Sequence, residues 1–308
     1  MPVMRVAIAF LVTLSLALIS GCGSGNASVD GVPTTLKMAY LPSEEDVERR
    51  MQVFTELAEY LTSEIGIPVE IIRTSSYGPM IEAMRARKVD FGQAGGSFTY
   101  IIAHEKAGVE AIVSRGTPQG PSLYTSLIVT SPETGIRSME ELKARQSDLV
   151  FAFVDPASTS GHLVPRAGLE SHGIVPEEFD RTVFTMSHTN SAMTLMSAKV
   201  DAGALSRGTY NRLIERERME EGDLVILWES APIPTGPIVV GPDLPVGIQA
   251  KIQAAYLKLN DGGPLMDALR DQTGIDDMIY YPIDDTAWDG LREIAYNVDT
   301  MKLLERQD

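Results

Sequence analysis

Between Leu36 and Gly116 short apolar runs alternate with amphipathic stretches, and this order constrains the fold more than any other feature of the chain. LKMAYLP, VEIIRT, VDFGQAGG and EAIVSRG read as strands bounded by turn residues. Between them lie DVERRMQVFTELAEYLTSEIG, PMIEAMRARK and SFTYIIAHEKAG. In the first of these Val47, Met51, Phe54, Leu57, Ala58 and Leu61 form one apolar stripe at helical spacing. A strand–helix alternation of this kind predicts a mainly parallel sheet with helices on both faces.

TSLIVTS (125–131) is β-rich and has no helix before it, and the alternation then restarts. SMEELKARQ carries Ser138 and Glu141 in a capping-box pattern. LVFAFVD reads as a strand, and helices follow over 160–173 and 176–180. TVFTMSH, NSAMTLMSAKV, VDAGALS and TYNRLIERER continue as strand, helix, strand, helix. DLVILWES is a further strand, PIPTGPIVVGP is Pro/Gly-punctuated extended chain, and the remainder from Val246 reads as mostly helical. Two α/β lobes result, one from 36–125 with 238–308 and one from 126–237. TSLIVTS and PIPTGPIVV cross between them. Two crossings make a two-strand hinge with a cleft, and α/β proteins bind ligands in such clefts, at strand C-terminal ends.

VDPASTSGHLVP (154–165) lies at such an end, where a strand hands over to a helix. A helix start leaves backbone N–H groups unpaired and carries partial positive charge, which suits an anion. Ser158, Thr159 and Ser160 add rotatable donors, and Gly161 permits close backbone approach. No lysine is present, so this is not a Walker A loop. The residues alone fit anion binding and plain helix capping equally well. Pro165 should bend the helix that follows.

The first residues stand apart from the fold. Arg5 precedes the uncharged run VAIAFLVTLSLALIS (6–20), which is shorter than the ~20 residues a spanning helix needs. It reads as a signal peptide over 1–21 ending in Ile19-Ser20-Gly21-Cys22, similar to a bacterial lipobox with Cys22 as the lipidated residue. An ordinary signal peptide with an incidental cysteine is the alternative. Residues 22–35, small and polar, read as a flexible tether. Cys22 is the only cysteine, so no disulfide and no Cys-based metal or catalytic chemistry is expected. No metal-ligand spacing such as His-Glu-x-x-His occurs, and neither a metal nor a cofactor is expected. A net charge of −16 argues against nucleic acid as a partner.

The loop VDPASTSGHLVP resembles the phosphate-group-binding loop of the phosphonate/phosphite-binding proteins of ABC transporters. SYGPMIEAMRARKVDFGQAG, SLIVT, RTVFTMSHTN and IPTGP extend the resemblance over most of the chain. It implies a two-lobe periplasmic-binding-protein fold of type II. It also implies a monomer, membrane-anchored in the periplasm or at the cell surface, that delivers a small phosphorus oxyanion to an inner-membrane ABC permease. Ser158, Thr159, Ser160 and Gly161 fall on the gripping loop, Tyr77 on a tyrosine that closes over the ligand, and His188 on a ligand-facing histidine. Tyr124 lies at or beside a second cleft tyrosine. Read alone, His188 would be a satisfied core histidine and Tyr77 a packing aromatic. Relatives that bind aminoethylphosphonate hold its ammonium with acids near positions 208 and 236, where this chain has Gly208 and Gly236. Phosphite, phosphate or a simple alkylphosphonate therefore fits better. Two other readings remain: a binding protein presenting its ligand to a sensor kinase, and a hydrolase using Ser160 with His188 or His162. The hydrolase lacks a nucleophile-elbow motif.

Overall fold

The structure is a computed structural model that describes residues 28–29, 32–41 and 47–298. The signal segment and Cys22 lie outside the described residues. Within the stretch expected to be a tether, Ser28–Val29 and Val32–Pro33 form a short antiparallel pair.

The first sheet is built from β1 (Leu36–Tyr40), β2 (Val69–Arg73), β3 (Phe91–Gln93) and β4 (Glu110–Thr117). Helices α1 (Val47–Ile65), α2 (Tyr77–Arg85) and α3 (Ser97–Ala107) connect them. The alternation of β1 decides which helix goes where. Leu36 and Met38 pack with Leu57 and Leu61 of α1, while Ala39 packs with Met80 of α2 and Phe98 of α3. Both faces are covered, as the period-2 pattern of a doubly packed strand requires. Burying a side chain such as Leu61 stabilises the fold by roughly 1.5–3 kcal/mol.

The chain leaves this sheet through β5 (Leu123–Tyr124) and enters the second with β6 (Ser126–Thr130). Then follow α4 (Met139–Arg145), β7 (Val150–Phe153), α5 (Val164–Ser171), β8 (Arg181–Phe184), α6 (His188–Met196), β9 (Ala202–Ser206), α7 (Arg207–Glu215) and β10 (Val225–Glu229). It returns through β11 (Ile233–Pro234), which pairs antiparallel with β5 to form the hinge ribbon. β12 (Ile238–Val240), α8 (Val246–Lys258), α9 (Pro264–Thr273), β13 (Ile279–Pro282) and α10 (Asp289–Asn297) complete the first lobe. β13 is a strand inside the region expected to be helical; it pairs with β4 at the sheet edge.

The sheets are mixed. Strand order is β13-β4-β12-β3-β1-β2 in the first and β8-β7-β9-β6-β10 in the second. β1, β2 and β3 pair in parallel, as do β7, β8 and β9. The strands that cross between lobes break this order. β12 inserts antiparallel between β3 and β4, and β6 inserts antiparallel between β9 and β10. Strands joined by crossover helices share a direction. A strand arriving from the other lobe has no such constraint and here runs the opposite way.

Ser138 caps α4 by accepting from the Glu141 N–H, but the Glu141 carboxylate accepts from the Arg137 N–H, so only half of the expected box forms. Two helices also start elsewhere than expected. α2 begins at Tyr77, and His188 is the first residue of α6 rather than the end of a strand.

Candidate functional site

The loop after β7 is built on its own backbone. Asp155 Oδ1 accepts from Ala157 N–H at 2.8 Å, and Ser158 N–H donates to Asp155 O at 2.9 Å. A π-turn over Thr159–Leu163 follows, and only then the α-helix, with Pro165 in its first turn. Pro165 therefore costs no helical hydrogen bond; the π-turn takes up the bend. Ser158 Oγ accepts from Gly161 N–H at 3.0 Å, which satisfies that donor. Among the described residues the N–H groups of Thr159 and Ser160 have no acceptor. They are the open donors of the turn.

Thr159 has a second task. Its Oγ1 accepts from the Phe98 N–H at 2.8 Å, and Thr99 Oγ1 donates to Ala157 O at 2.9 Å. Ser97 Oγ donates to Pro234 O. The loop of the second lobe and the hinge ribbon thus both dock on the N-terminus of α3 in the first lobe. The Thr159 hydroxyl also approaches the Tyr124 phenol.

A cavity of about 710 Å³ opens between the lobes beside this loop. Ser158, Thr159, Ser160, Tyr77, Tyr124 and His188 all line it. Gly161 does not. A Cβ there would fall 2.3 Å from Val154 Cβ, so this glycine serves the packing of the turn on its own strand, not ligand approach. His162 points away as well. Its Nδ1 meets Pro156 O at 2.8 Å and its ring packs edge-on against Phe153 and Phe184. Burial holds it down to about 4, and it is a core residue.

The remaining side chains are neutral donors. Burial pushes the Tyr77 phenol far up, with Tyr124 and Asp155 adding to it, so it stays protonated. Burial also raises Tyr124, against the pull of the Ser160 and Thr159 hydroxyls and the Arg115 guanidinium. His188 Nδ1 accepts from the Ser206 N–H at 3.0 Å. Burial, and then Arg212, lower its pKa to about 4. It is therefore neutral near pH 7 with its proton on Nε2, a hydrogen-bond donor. No hydrogen bond links Ser160 to a histidine among the described residues, and the nitrogen a base would use is occupied in His188.

Charge was the signal missed in the sequence. Arg50, Arg115, Arg207 and Arg212 line the cavity, and among the described residues no Asp or Glu does. Arg207 is paired with Glu229. Arg115 was detectable: it follows Ala111 and Val113 at alternating positions of a strand, an inward place where a cation needs a reason. The two glycines of interest differ. A Cβ at Gly236 would stand 2.9 Å from the Gly96 backbone, so no side chain fits. A Cβ at Gly208 would meet only the tip of Arg212, at 3.2 Å. Among the described residues no group of three His, Cys, Asp or Glu side chains is placed to hold a metal ion.

Comparison with known proteins points one way. The family profile described as "ABC transporter, phosphonate, periplasmic substrate-binding protein" matches residues 38–285. The Phosphate-import protein PhnD of Mycolicibacterium smegmatis is 26% identical over 237 residues, covering 70% of each chain. The Phosphonates-binding periplasmic protein of Escherichia coli is 26% identical over 198 residues, 64% of this chain and 58% of that one. Among solved structures, a binding component of an ABC phosphonate transporter from Pseudomonas aeruginosa superposes with TM-score 0.76 at 22% identity, covering 86% of both chains. A Prochlorococcus marinus protein in complex with methylphosphonate gives 0.75 at 18% identity, over 87% of this chain and 99% of that one. These two structures share the fold.

Proposed function

The chain belongs to the family of phosphonate-type periplasmic substrate-binding proteins of ABC transporters, which are binding proteins and not enzymes, and we propose that it captures a small phosphorus oxyanion in the interlobe cavity and hands it to its permease. The observation that carries this reading is the lining itself: among the described residues, an open-donor turn at 158–160, three neutral donors and four arginines, without one carboxylate. The phosphorus-bound oxygens sit on the free N–H groups and hydroxyls of Thr159 and Ser160. Tyr77, Tyr124 and the Nε2–H of His188 donate from the other sides. Hydrogen bonds to a charged acceptor are about twice as strong as neutral ones, which suits a site that must hold its ligand during transfer.

An aminophosphonate is disfavoured. Its ammonium would be buried among arginines with no acid among the described residues beside it, and Gly236 has no room for one. The ligand is phosphite, phosphate or an alkylphosphonate without an ammonium group. Cys22 anchors the protein by a lipid on the periplasmic side, and a monomer suffices for the task.

Calorimetric titration of the purified protein with phosphite, phosphate, methylphosphonate, aminoethylphosphonate and sulfate tests this. Micromolar or tighter binding of one of the first three is expected, weakened in Tyr77→Phe. Tight binding of aminoethylphosphonate, or of none of the phosphorus ligands, would overturn it.

A further inference from the structure

The turn at 158–160 needs only a corner of a 710 Å³ cavity. The floor of that cavity, at the hinge, is polar and unsatisfied. Arg115 in β4 lies opposite Tyr280 in the sheet register, and burial pulls its pKa down, with the Tyr280 and Tyr124 phenols beside it. Among the described residues its guanidinium makes no hydrogen bond and no ion pair. Next to it, Ser122 N–H donates to Arg115 O at 3.0 Å, and Thr235 N–H donates to Ser122 O at 3.1 Å. The hydroxyls of Ser122 and Thr235 are buried without a partner, and both residues line the cavity. A half-buried cation without a counter-ion, beside two orphan hydroxyls, suits an anionic occupant.

Tyr124 lies near both the floor and the turn. Its phenol meets Ser160 and Thr159, and Arg115 is close enough to lower its pKa. A group bound at Arg115 is thus one side chain away from a phosphorus centre seated on the turn. We infer that Arg115, Ser122 and Thr235 form a second subsite that takes an anionic group at the far end of the ligand's organic substituent. The ligand class is a phosphonate whose short alkyl chain ends in a carboxylate. The inference rests on the phosphorus-oxyanion reading above and specifies the fourth substituent. Arg115 selects by charge; Ser122 and Thr235 complete the shell of donors around the carboxylate.

The test uses 3-phosphonopropionate, methylphosphonate and phosphate as probes in calorimetric titrations. The wild-type protein should bind 3-phosphonopropionate at least about tenfold more tightly than methylphosphonate, as one charge-assisted contact implies. Arg115→Gln should erase that advantage by weakening 3-phosphonopropionate at least about tenfold more than methylphosphonate. Thr235→Val should erase part of it. A cooperative thermal transition in each variant verifies folding. Equal wild-type affinity for the two phosphonates would overturn the subsite, and so would an Arg115→Gln loss that is the same for both. Either result leaves the phosphorus-oxyanion reading standing. Failure of all three probes, and of phosphite with them, would instead remove that reading and this inference with it.

Discussion

The Phe98 N–H donates to Thr159 Oγ1 at 2.8 Å, so a hydroxyl of one lobe caps a helix of the other. The N-cap of α3 is Gly96, which has no side chain to offer. Its place is taken from across the cleft. A Cβ on Gly96 would lie 2.8 Å from Thr159 Oγ1, so the glycine is what lets the second lobe in. The ligand loop and the joint between lobes are therefore one structure, and loading the loop bears directly on the joint. Thr159→Val should lower stability by about 1 kcal/mol, as loss of a cap does, and should weaken ligand binding as well. Thr159→Ser should preserve both. Urea unfolding and calorimetry on the two variants measure this; a stable Thr159→Val protein would mean that the cap is idle.

His188 and His162 give the protein a defined response to acid. Both have pKa values lowered to about 4 by burial, against an ordinary value near 6.5. Between those values the unfolded chain binds protons that the folded chain refuses. Stability is therefore full above about pH 6.5, falls as the pH drops toward 4, and levels off below it. His188→Gln should remove part of that slope, with the His162 share remaining. The Nε2–H tautomer of His188 should also persist to about pH 5 in nitrogen NMR spectra, with Nδ1 unprotonated. A His188 that titrates near 6.5 would contradict the burial and the Ser206 bond together.

Substitution at the two glycines should give different results. Gly236→Asp forces a Cβ to within 3.1 Å of three Gly96 backbone atoms, none of which is a flexible side-chain tip. It should destabilise the protein by roughly 1–3 kcal/mol, as overpacking does, without creating affinity for aminoethylphosphonate. Gly208→Asp meets only the mobile end of Arg212 and should fold with an unchanged melting temperature. Thermal melts of the pair decide the point, and a Gly236→Asp protein as stable as wild type would show that the α3–hinge contact yields.

How far the sequence reaches is visible in particular residues. Strand direction could be read from Leu36, Met38 and Ala39, because alternating burial and crossover helices are local features. The insertion of β12 between β3 and β4 could not, because a strand returning from another lobe chooses its neighbours by tertiary packing. β13 was hidden for the same reason: Ile279–Pro282 is short and lies among helices. At the site, Ser158, Thr159, Ser160, Tyr77, Tyr124 and His188 came to line one cavity, though only the resemblance, not the residues alone, pointed to Tyr77, Tyr124 and His188. Gly161 did not, since a glycine's need for space looks the same whether a ligand or Val154 stands beside it. The bond from Thr159 to Phe98 spans 61 residues and leaves no trace in spacing.

Ser158 and Ser160 stand two residues apart and should behave oppositely. Ser158 Oγ accepts from the Gly161 N–H, so Ser158→Ala leaves that donor uncapped and should cost about 1 kcal/mol of stability. Ser160 is buried, its carbonyl is held by Ser126 Oγ at 2.7 Å, and its own hydroxyl makes no hydrogen bond to the described residues apart from its approach to Tyr124. Ser160→Ala should leave unfolding almost unchanged. Its effect should appear in binding, where losing one hydrogen bond to a charged ligand corresponds to about a ten- to hundredfold drop in affinity. Paired denaturation and titration of both variants separate scaffold from grip. If Ser160→Ala instead lost stability and kept its affinity, its hydroxyl would belong to the turn and the ligand would be held by the backbone N–H groups alone.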